Sequence, residues 1–311
     1  MQNLACPSHP VIREILNRRR NSGPSGTSIK LGLVVEGGGL RGVISGAALV
    51  AMERLGLTEV FDEVYGESAG AINACYFLAG QAEFGSRIYF EDLPSLKFVN
   101  PFRPGRMLDL DYAIDMVVAR RKPLNVERVL QSRSELFIAV TNANDASSKL
   151  IDVRKSNLPL LSLLKATGAI VPLYNKSILL DGVAYVDGGI SNPIPVLSAI
   201  EAGCTHILVL LTQPPEFAYR KLGRLQTVGA RALLANWDAR FVEKFFTERL
   251  TKYNQARGIA FGRIQTSQNP LIAVVAPASD DPAVSRMTLS SRRLKAALDR
   301  GIEKTLAVFQ G

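Results

Sequence analysis

Ser68 sits between two glycines in the stretch Gly66-Glu67-Ser68-Ala69-Gly70, and upstream of it three consecutive glycines, Gly37, Gly38 and Gly39, open the segment GGGLRG that closes at Gly42. A serine hydroxyl is a poor nucleophile until a base takes its proton and donors stabilise the oxyanion it creates. Small residues at Gly66 and Gly70 permit the sharp strand-to-helix turn that exposes such a hydroxyl. A helix beginning at Ala69 would aim its N–H groups and positive dipole end at the reacting centre. The glycine run lets backbone N–H groups approach a ligand with no Cβ in the way. If the strands before the two turns are parallel neighbours, both loops emerge at one sheet edge. Gly38 and Gly39 then face the carbonyl that Ser68 attacks, and Arg41 holds the loop or adds positive charge. The chemistry these residues suit is acyl transfer.

The base follows by subtraction. Only two histidines are present. His9 lies near the N-terminus. His206 immediately precedes the apolar run ILVLL, which puts it at the start of a strand, away from the end where Ser68 emerges. The chain order Ser68, Asp187, His206 would suit a hydrolase triad, but that position speaks against it. A carboxylate must serve, and Asp187 ends a strand and is followed by Gly188 and Gly189. An aspartate is a weak base at its usual pKa of about 3.9, so proximity and desolvation must compensate.

The elements that must position these groups are legible as a pattern. LGLVVE at 31–36 leads through the glycine loop into a helix that ends at Gly56, and a short strand at Val64–Tyr65 leads through the serine turn into the helix AINACYFLAG. Strand, turn and helix twice in succession predict a parallel sheet with crossover helices. ELFIAVTNAND and SSKLIDV read as two strands joined by a polar turn, VAYVDGG brings a strand to Asp187, and HILVLLT and LIAVVAP are later strands. Residues 222–256 read as one long helical region whose Trp237, Phe241, Phe245 and Phe246 have core spacing; capping an acyl pocket or touching a membrane is the alternative. The last helix carries an apolar stripe at Leu294, Leu298, Ile302 and Leu306 that is expected to dock on the sheet. The expected organisation is a helix and flexible linker (NSGPSGTS) over 1–29, a catalytic unit over 30–212, and a helical addition with a last strand over 213–311.

GGGLRG, GESAG and the Asp-Gly-Gly at 187–189, in this order, resemble the patatin-like phospholipase family. The resemblance spans roughly residues 30–212. It implies a three-layer α/β/α fold with a mainly parallel central sheet, Ser68 as nucleophile, Asp187 as base, and an oxyanion hole built by the Gly37–Gly39 backbone with Arg41. It also implies a serine lipid acyl hydrolase of phospholipase A, lysophospholipase or esterase type, acting on a lipid or acyl-ester substrate without metal or organic cofactor. Glu67 departs from the small or neutral residue the family often has there. A carboxylate at this place either raises the pKa of Asp187 by like-charge repulsion, or points at solvent or an arginine, and the second is the expectation.

Bulk properties narrow the rest. With 311 residues, 47% of them apolar, the chain can bury the core of one large α/β domain. Its apolar runs are too short to span a bilayer, and its N-terminus lacks the layout of a secretory signal. Cys6, Cys75 and Cys204 are odd in number and scattered, which argues against a disulfide framework or zinc site and for a reducing, cytoplasmic setting. The net charge of +9 falls in separate clusters, among them Arg18–Arg20, Arg120–Lys122 and Arg220–Lys221, with no nucleic-acid-reading motif. Such clusters keep a protein soluble or draw it peripherally to an anionic membrane surface.

Two rival readings remain. Gly37, Gly39 and Gly42 satisfy a dinucleotide fingerprint, but Asp62 and Glu63 precede the second strand instead of ending it. A non-catalytic lipid-binding or scaffold protein on the same fold would keep every motif.

Overall fold

A computed structural model of the chain describes residues 3–21, 28–219 and 223–310; most of the expected linker, and Arg220 and Lys221, lie outside them. Eight strands form one sheet: β1 (Leu31–Val35), β2 (Glu63–Gly66), β3 (Glu135–Asn142), β4 (Ser148–Asp152), β5 (Ile178–Leu180), β6 (Val183–Asp187), β7 (His206–Leu210) and β8 (Leu271–Val275). Their hydrogen-bonded order is β5-β6-β3-β2-β1-β7-β8, with β4 also on β3. The five strands from β3 to β8 along this order are mutually parallel, whereas β4 and β6 run antiparallel to β3 and β5 antiparallel to β6.

Every residue of β1 is buried, as expected of a parallel strand covered on both faces. Its side chains alternate between two cores. Leu31, Leu33 and Val35 belong to the larger one and Val34 to the smaller. Helices α1 (Pro10–Arg20), α2 (Val43–Arg54), α3 (Ser68–Leu78), α4 (Ala82–Ser86), α5 (Val126–Gln131) and α6 (Leu160–Gly168) contribute to the larger core. Helix α7 (Val196–Glu201) covers the other face. The result is a three-layer α/β/α fold.

The long helical region expected over 222–256 is made of three helices: α8 (Arg224–Leu233), α9 (Ala239–Thr247) and α10 (Arg249–Ala260). Asp238 ends the first break by accepting from the Arg240 N–H at 2.9 Å, an N-cap that starts α9. In that break the Trp237 indole donates to Asn175 Oδ1 at 2.7 Å. Phe241 and Phe245 are buried in the larger core, and α10 packs on the smaller one through Tyr253, Ala256 and Ile259.

The final helix, α11 (Ser291–Gln310), docks on α2 rather than on the sheet, because α2 already covers that face. A Cβ on Gly301 would lie 2.7 Å from the Ala47 Cβ, so the two helices meet at backbone distance. Leu294, Leu298 and Ile302 are buried there. At the N-terminus Leu4 bridges Val274 on the outer edge of β8, covering a strand edge that would otherwise be open. Arg18, expected among surface-seeking cations, is buried and pairs with Glu14 at 3.0 Å and Asp62 at 2.8 Å. It anchors α1 and is unavailable to a lipid surface. No described helix is long and apolar enough to cross a membrane.

Strand β3 sets the position of the two central residues. β4 pairs along 137–141 of β3, so β2 (pairing along 135–138) and β6 (along 140–142) must both use its opposite edge. Gly66 ends β2 opposite Ile138, and Asp187 ends β6 opposite Val140. The two strands therefore approach each other end to end along one edge, with the Ser68 turn and Asp187 at their junction.

Candidate active site

β1 and β2 are parallel neighbours with Val35 opposite Gly66, so the glycine loop and the serine turn leave the sheet side by side. Ser68 begins α3 with φ +51°, a left-handed backbone that a serine adopts only when its surroundings impose it. Close packing imposes it here. A Cβ on Gly70 would strike the carbonyl oxygen of Val35, and one on Gly66 would lie 2.7 Å from the Ala71 Cα. The Ser68 N–H donates to Thr167 Oγ1 at 2.8 Å, and the Thr167 hydroxyl in turn donates to the Ala139 carbonyl at 2.6 Å. Thr167, at the end of α6, thus ties the turn to β3.

Asp187 is held by its backbone and by one carboxylate oxygen. Its N–H donates to the Ala169 carbonyl at 3.1 Å, its carbonyl accepts from Thr141 Oγ1 at 2.8 Å, and Oδ1 accepts from the Gly189 N–H at 2.7 Å. Gly188 packs its α-carbon against the Ala139 carbonyl, where a side chain has no room. Oδ2 is buried without a hydrogen-bond partner. The Ser68 hydroxyl approaches this carboxylate closely enough to pull its pKa down, yet the contact falls short of a formed hydrogen bond. Such contacts are often long in a free enzyme. Burial outweighs that pull and pushes Asp187 up to about 6.

Glu67 overturns its expectation. Among the described residues it has no ion-pair partner, and it does not face solvent. Only 4% exposed, it turns inward and accepts the Gly37 N–H at 2.6 Å. Burial first, and then the charge of Asp187, hold its carboxyl well above the ordinary range. The same bond takes Gly37 N–H out of the donors expected of the loop. Among the described residues, no acceptor pairs with the N–H of Gly38 or Gly39. Both adopt positive φ, +138° and +60°, which glycine alone tolerates without strain.

Arg41 is a brace. Its Nε donates to Thr212 Oγ1 at 3.0 Å, Thr212 donates to the Gly37 carbonyl at 3.1 Å, and the guanidinium lies 3.9 Å from Glu36. Glu36 accepts from the Thr212 N–H at 2.6 Å and from the Tyr253 hydroxyl at 3.0 Å. Gly42 lies against Ala69 and Tyr89, whose hydroxyl donates to Asn73 Oδ1 at 2.9 Å. Asn73 in turn donates to the Gly42 carbonyl at 2.8 Å. His206 begins β7 opposite Leu31, at the end of the sheet remote from Ser68, and His9 caps α1.

A cleft of about 40 Å³ joins these groups, lined by Gly37, Gly38, Ser68, Asp187 and Gly189, by apolar Ile170, Ile190, Pro193 and Leu250, and by Tyr219, Arg249, Tyr253 and Arg286. The last four come from beyond the motifs, and no spacing in the sequence points to them. Thr167 and Glu36 did leave a trace. One sits in the small-residue segment KATGAIVP, and the other is an acid ending an otherwise apolar strand.

Fold and site together define an α/β/α protein that presents a serine elbow to a buried carboxylate and a glycine loop. A family model described as patatin-like phospholipase matches residues 33–200, more than half of the chain, and the chain belongs to that family. It is 29% identical over 196 residues to the uncharacterized protein YjjU of Escherichia coli (strain K12), a match covering 61% of this chain and about half, 54%, of YjjU. It is also similar to the crystal structure of VipD from Legionella pneumophila, with 13% identity, a TM-score of 0.45, and coverage of 90% of this chain and 67% of that one.

Proposed function

We propose that this protein is a serine lipid acyl hydrolase working through a Ser68–Asp187 dyad. Membership of the patatin-like phospholipase family supports lipid acyl hydrolysis in general. The finer reading is supported above all by the strained Ser68 turn beside the unpartnered oxygen of Asp187. In this mechanism Asp187 accepts the hydroxyl proton as Ser68 attacks an ester carbonyl. The N–H groups of Gly38 and Gly39 and the positive end of α3 stabilise the oxyanion. The departing alcohol takes the proton from Asp187, and a water activated by the same carboxylate then releases the fatty acid from Ser68. Desolvation makes the aspartate a stronger base than it would be in water, bringing its pKa toward the operating pH.

The substrate reaches this site from a lipid surface. Helix α8 follows the cleft residue Tyr219 and is almost wholly exposed, with Leu225 at 90% and Val228 at 66%, and with Arg224 and Arg231 beside them. Apolar side chains flanked by arginines suit the interface of an anionic bilayer.

The test is labelling with a fluorophosphonate probe, together with turnover of a soluble short-chain ester. Labelling that disappears in Ser68→Ala, with turnover lost in both Ser68→Ala and Asp187→Asn, is expected. A folded wild type that neither labels nor turns over would overturn the reading in favour of a non-catalytic lipid binder.

A further inference from the structure

Two cations share the cleft with the dyad, and the charge of each favours the ionised form of Asp187 across it. Arg249 opens α10, and Arg286 lies in the segment before α11. Both line the cleft that holds Ser68 and Asp187. Arg286 is placed by its backbone. Its carbonyl accepts from the Leu40 N–H at 3.1 Å, and it occupies the space left by the missing side chain of Gly39, whose Cβ would lie 2.9 Å from that carbonyl oxygen. Its guanidinium therefore starts one side chain away from the oxyanion loop.

Aromatic rings hold both heads. The Arg249 Cζ lies 4.8 Å from the Phe245 ring centre and 5.7 Å from that of Tyr219, and the Arg286 Cζ lies 5.8 Å from Tyr219. Ring faces orient guanidinium groups so that N–H edges can meet the oxygens of a phosphate, and the Arg286 head also lies against the Tyr219 hydroxyl. Among the described residues, neither arginine has a carboxylate oxygen within 4.0 Å, and Arg286 Nε is buried without a hydrogen-bond partner. Arg18, Arg54, Arg106 and Arg300, by contrast, sit in ion pairs, and buried Arg257 is satisfied by the Pro214 carbonyl at 2.7 Å. Arg41, the third cation of the cleft, already faces Glu36. Both arginines are half-buried, and Asp187 lies in the same cleft beyond ion-pair reach but close enough for its charge to act on each of them.

We infer that Arg249 and Arg286 form an anion subsite that receives a phosphate group carried by the acyl ester next to its scissile bond, so that net-anionic acyl esters are preferred over zwitterionic and neutral ones. This rests on the acyl hydrolase reading for its substrate, but not for its binding. Leu250, Ile170 and Ile190 supply apolar walls beside the two guanidinium groups in the same cleft, so an acyl chain and a phosphate would meet surfaces of the matching kind once the cleft widens around them.

The experiment uses folded Ser68→Ala protein and needs no turnover. Calorimetric titration below the micelle threshold compares dihexanoyl phosphatidic acid, dihexanoyl phosphatidylcholine and inorganic phosphate. Phosphatidic acid should bind most tightly, and inorganic phosphate should compete with it. Arg249→Gln and Arg286→Gln should each weaken phosphatidic acid by about tenfold or more, bringing it level with phosphatidylcholine, while Arg249→Lys keeps part of the difference and controls for folding. Equal affinity for the two lipids before substitution, or an unchanged preference in Arg249→Gln, overturns the subsite. Inorganic phosphate that binds without being displaced by phosphatidic acid overturns the substrate assignment. A wild type that binds phosphatidic acid but fails to label with fluorophosphonate removes the hydrolase reading and leaves the subsite standing.

Discussion

The carboxylates of Glu67 and Asp187 converge on one point: a Cβ on Gly189 would lie 2.7 Å from Asp187 Oδ1 and 3.1 Å from Glu67 Oε2. Burial raises the pKa of both, and the charge of Asp187 raises Glu67 further. Two carboxyl groups so placed titrate as a pair. The Glu67 carboxyl is held the higher of the two by the charge of its neighbour.

The pH profile of kcat/KM should therefore be bell-shaped. Its ascending limb follows ionisation of Asp187, pushed up to about 6. Its descending limb follows Glu67, since a second negative charge beside the glycine loop opposes the oxyanion. Glu67→Gln still offers an acceptor to the Gly37 N–H, so it should keep the ascending limb and lose the descending one. A descending limb that survives this substitution belongs to another group.

Stability should move against activity at Asp187. A carboxylate whose folded pKa is raised binds more protons folded than unfolded between about pH 4 and 6. Its favourable contribution is complete below the unfolded pKa and is lost as pH rises through the folded one. Above that window the buried charge costs on the order of 3 kcal/mol. Asp187→Asn should thus be inactive yet melt above wild type at pH 8, with the gain gone near pH 4. A lower melting temperature at both pH values would show that the carboxylate stabilises the fold instead.

The left-handed Ser68 can be separated from its chemistry. Ser68→Ala and Ser68→Gly both remove the nucleophile, but only glycine is free of the penalty at φ +51°. Ser68→Gly should be the more stable of the two by about 1 kcal/mol, measured by denaturant unfolding. Equal stabilities would mean that the turn carries no strain.

Thr167→Val leaves the buried Ser68 N–H without its acceptor. The cost should be about 1–3 kcal/mol, with kcat falling more than KM changes because the turn is no longer pinned. Thr167→Ser, which keeps the hydroxyl, should restore most of both. Failure of serine to restore them would point to packing of the lost methyl group.

Membrane contact through α8 is tested by Leu225→Asp with Val228→Asp. Flotation with phosphatidylglycerol vesicles should fall severalfold while soluble ester turnover is retained. Vesicle binding that does not change would move the contact to another surface.

What was legible in the sequence is what is local. The glycine loop, the Ser68 turn and the Asp187–Gly189 stretch each carry their own backbone requirement, and strand, turn and helix alternation gives the sheet around them. The inward turn of Glu67 was not legible, because its direction depends on the Gly37 N–H of a neighbouring loop. Arg249 and Arg286 were not legible either, since nothing in their surroundings along the chain marks them. The stripe on α11 announced a docked helix but not its partner, for a helix and a sheet offer it equally apolar surfaces. The division of the helical region at 222–256 was not legible, because the break around Trp237 is made by a side-chain cap and a distant asparagine.

Strand β3 gives the site a parity. Gly66 pairs with Ile138 and Asp187 with Val140, an even step along a strand whose side chains alternate faces. Shortening β3 by one residue between these pairs would rotate Asp187 to the opposite face of the sheet, however intact the fold. The glycine loop and the serine turn are fixed differently, by close packing of their own glycines. Across the site, one strand serves as the gauge of length.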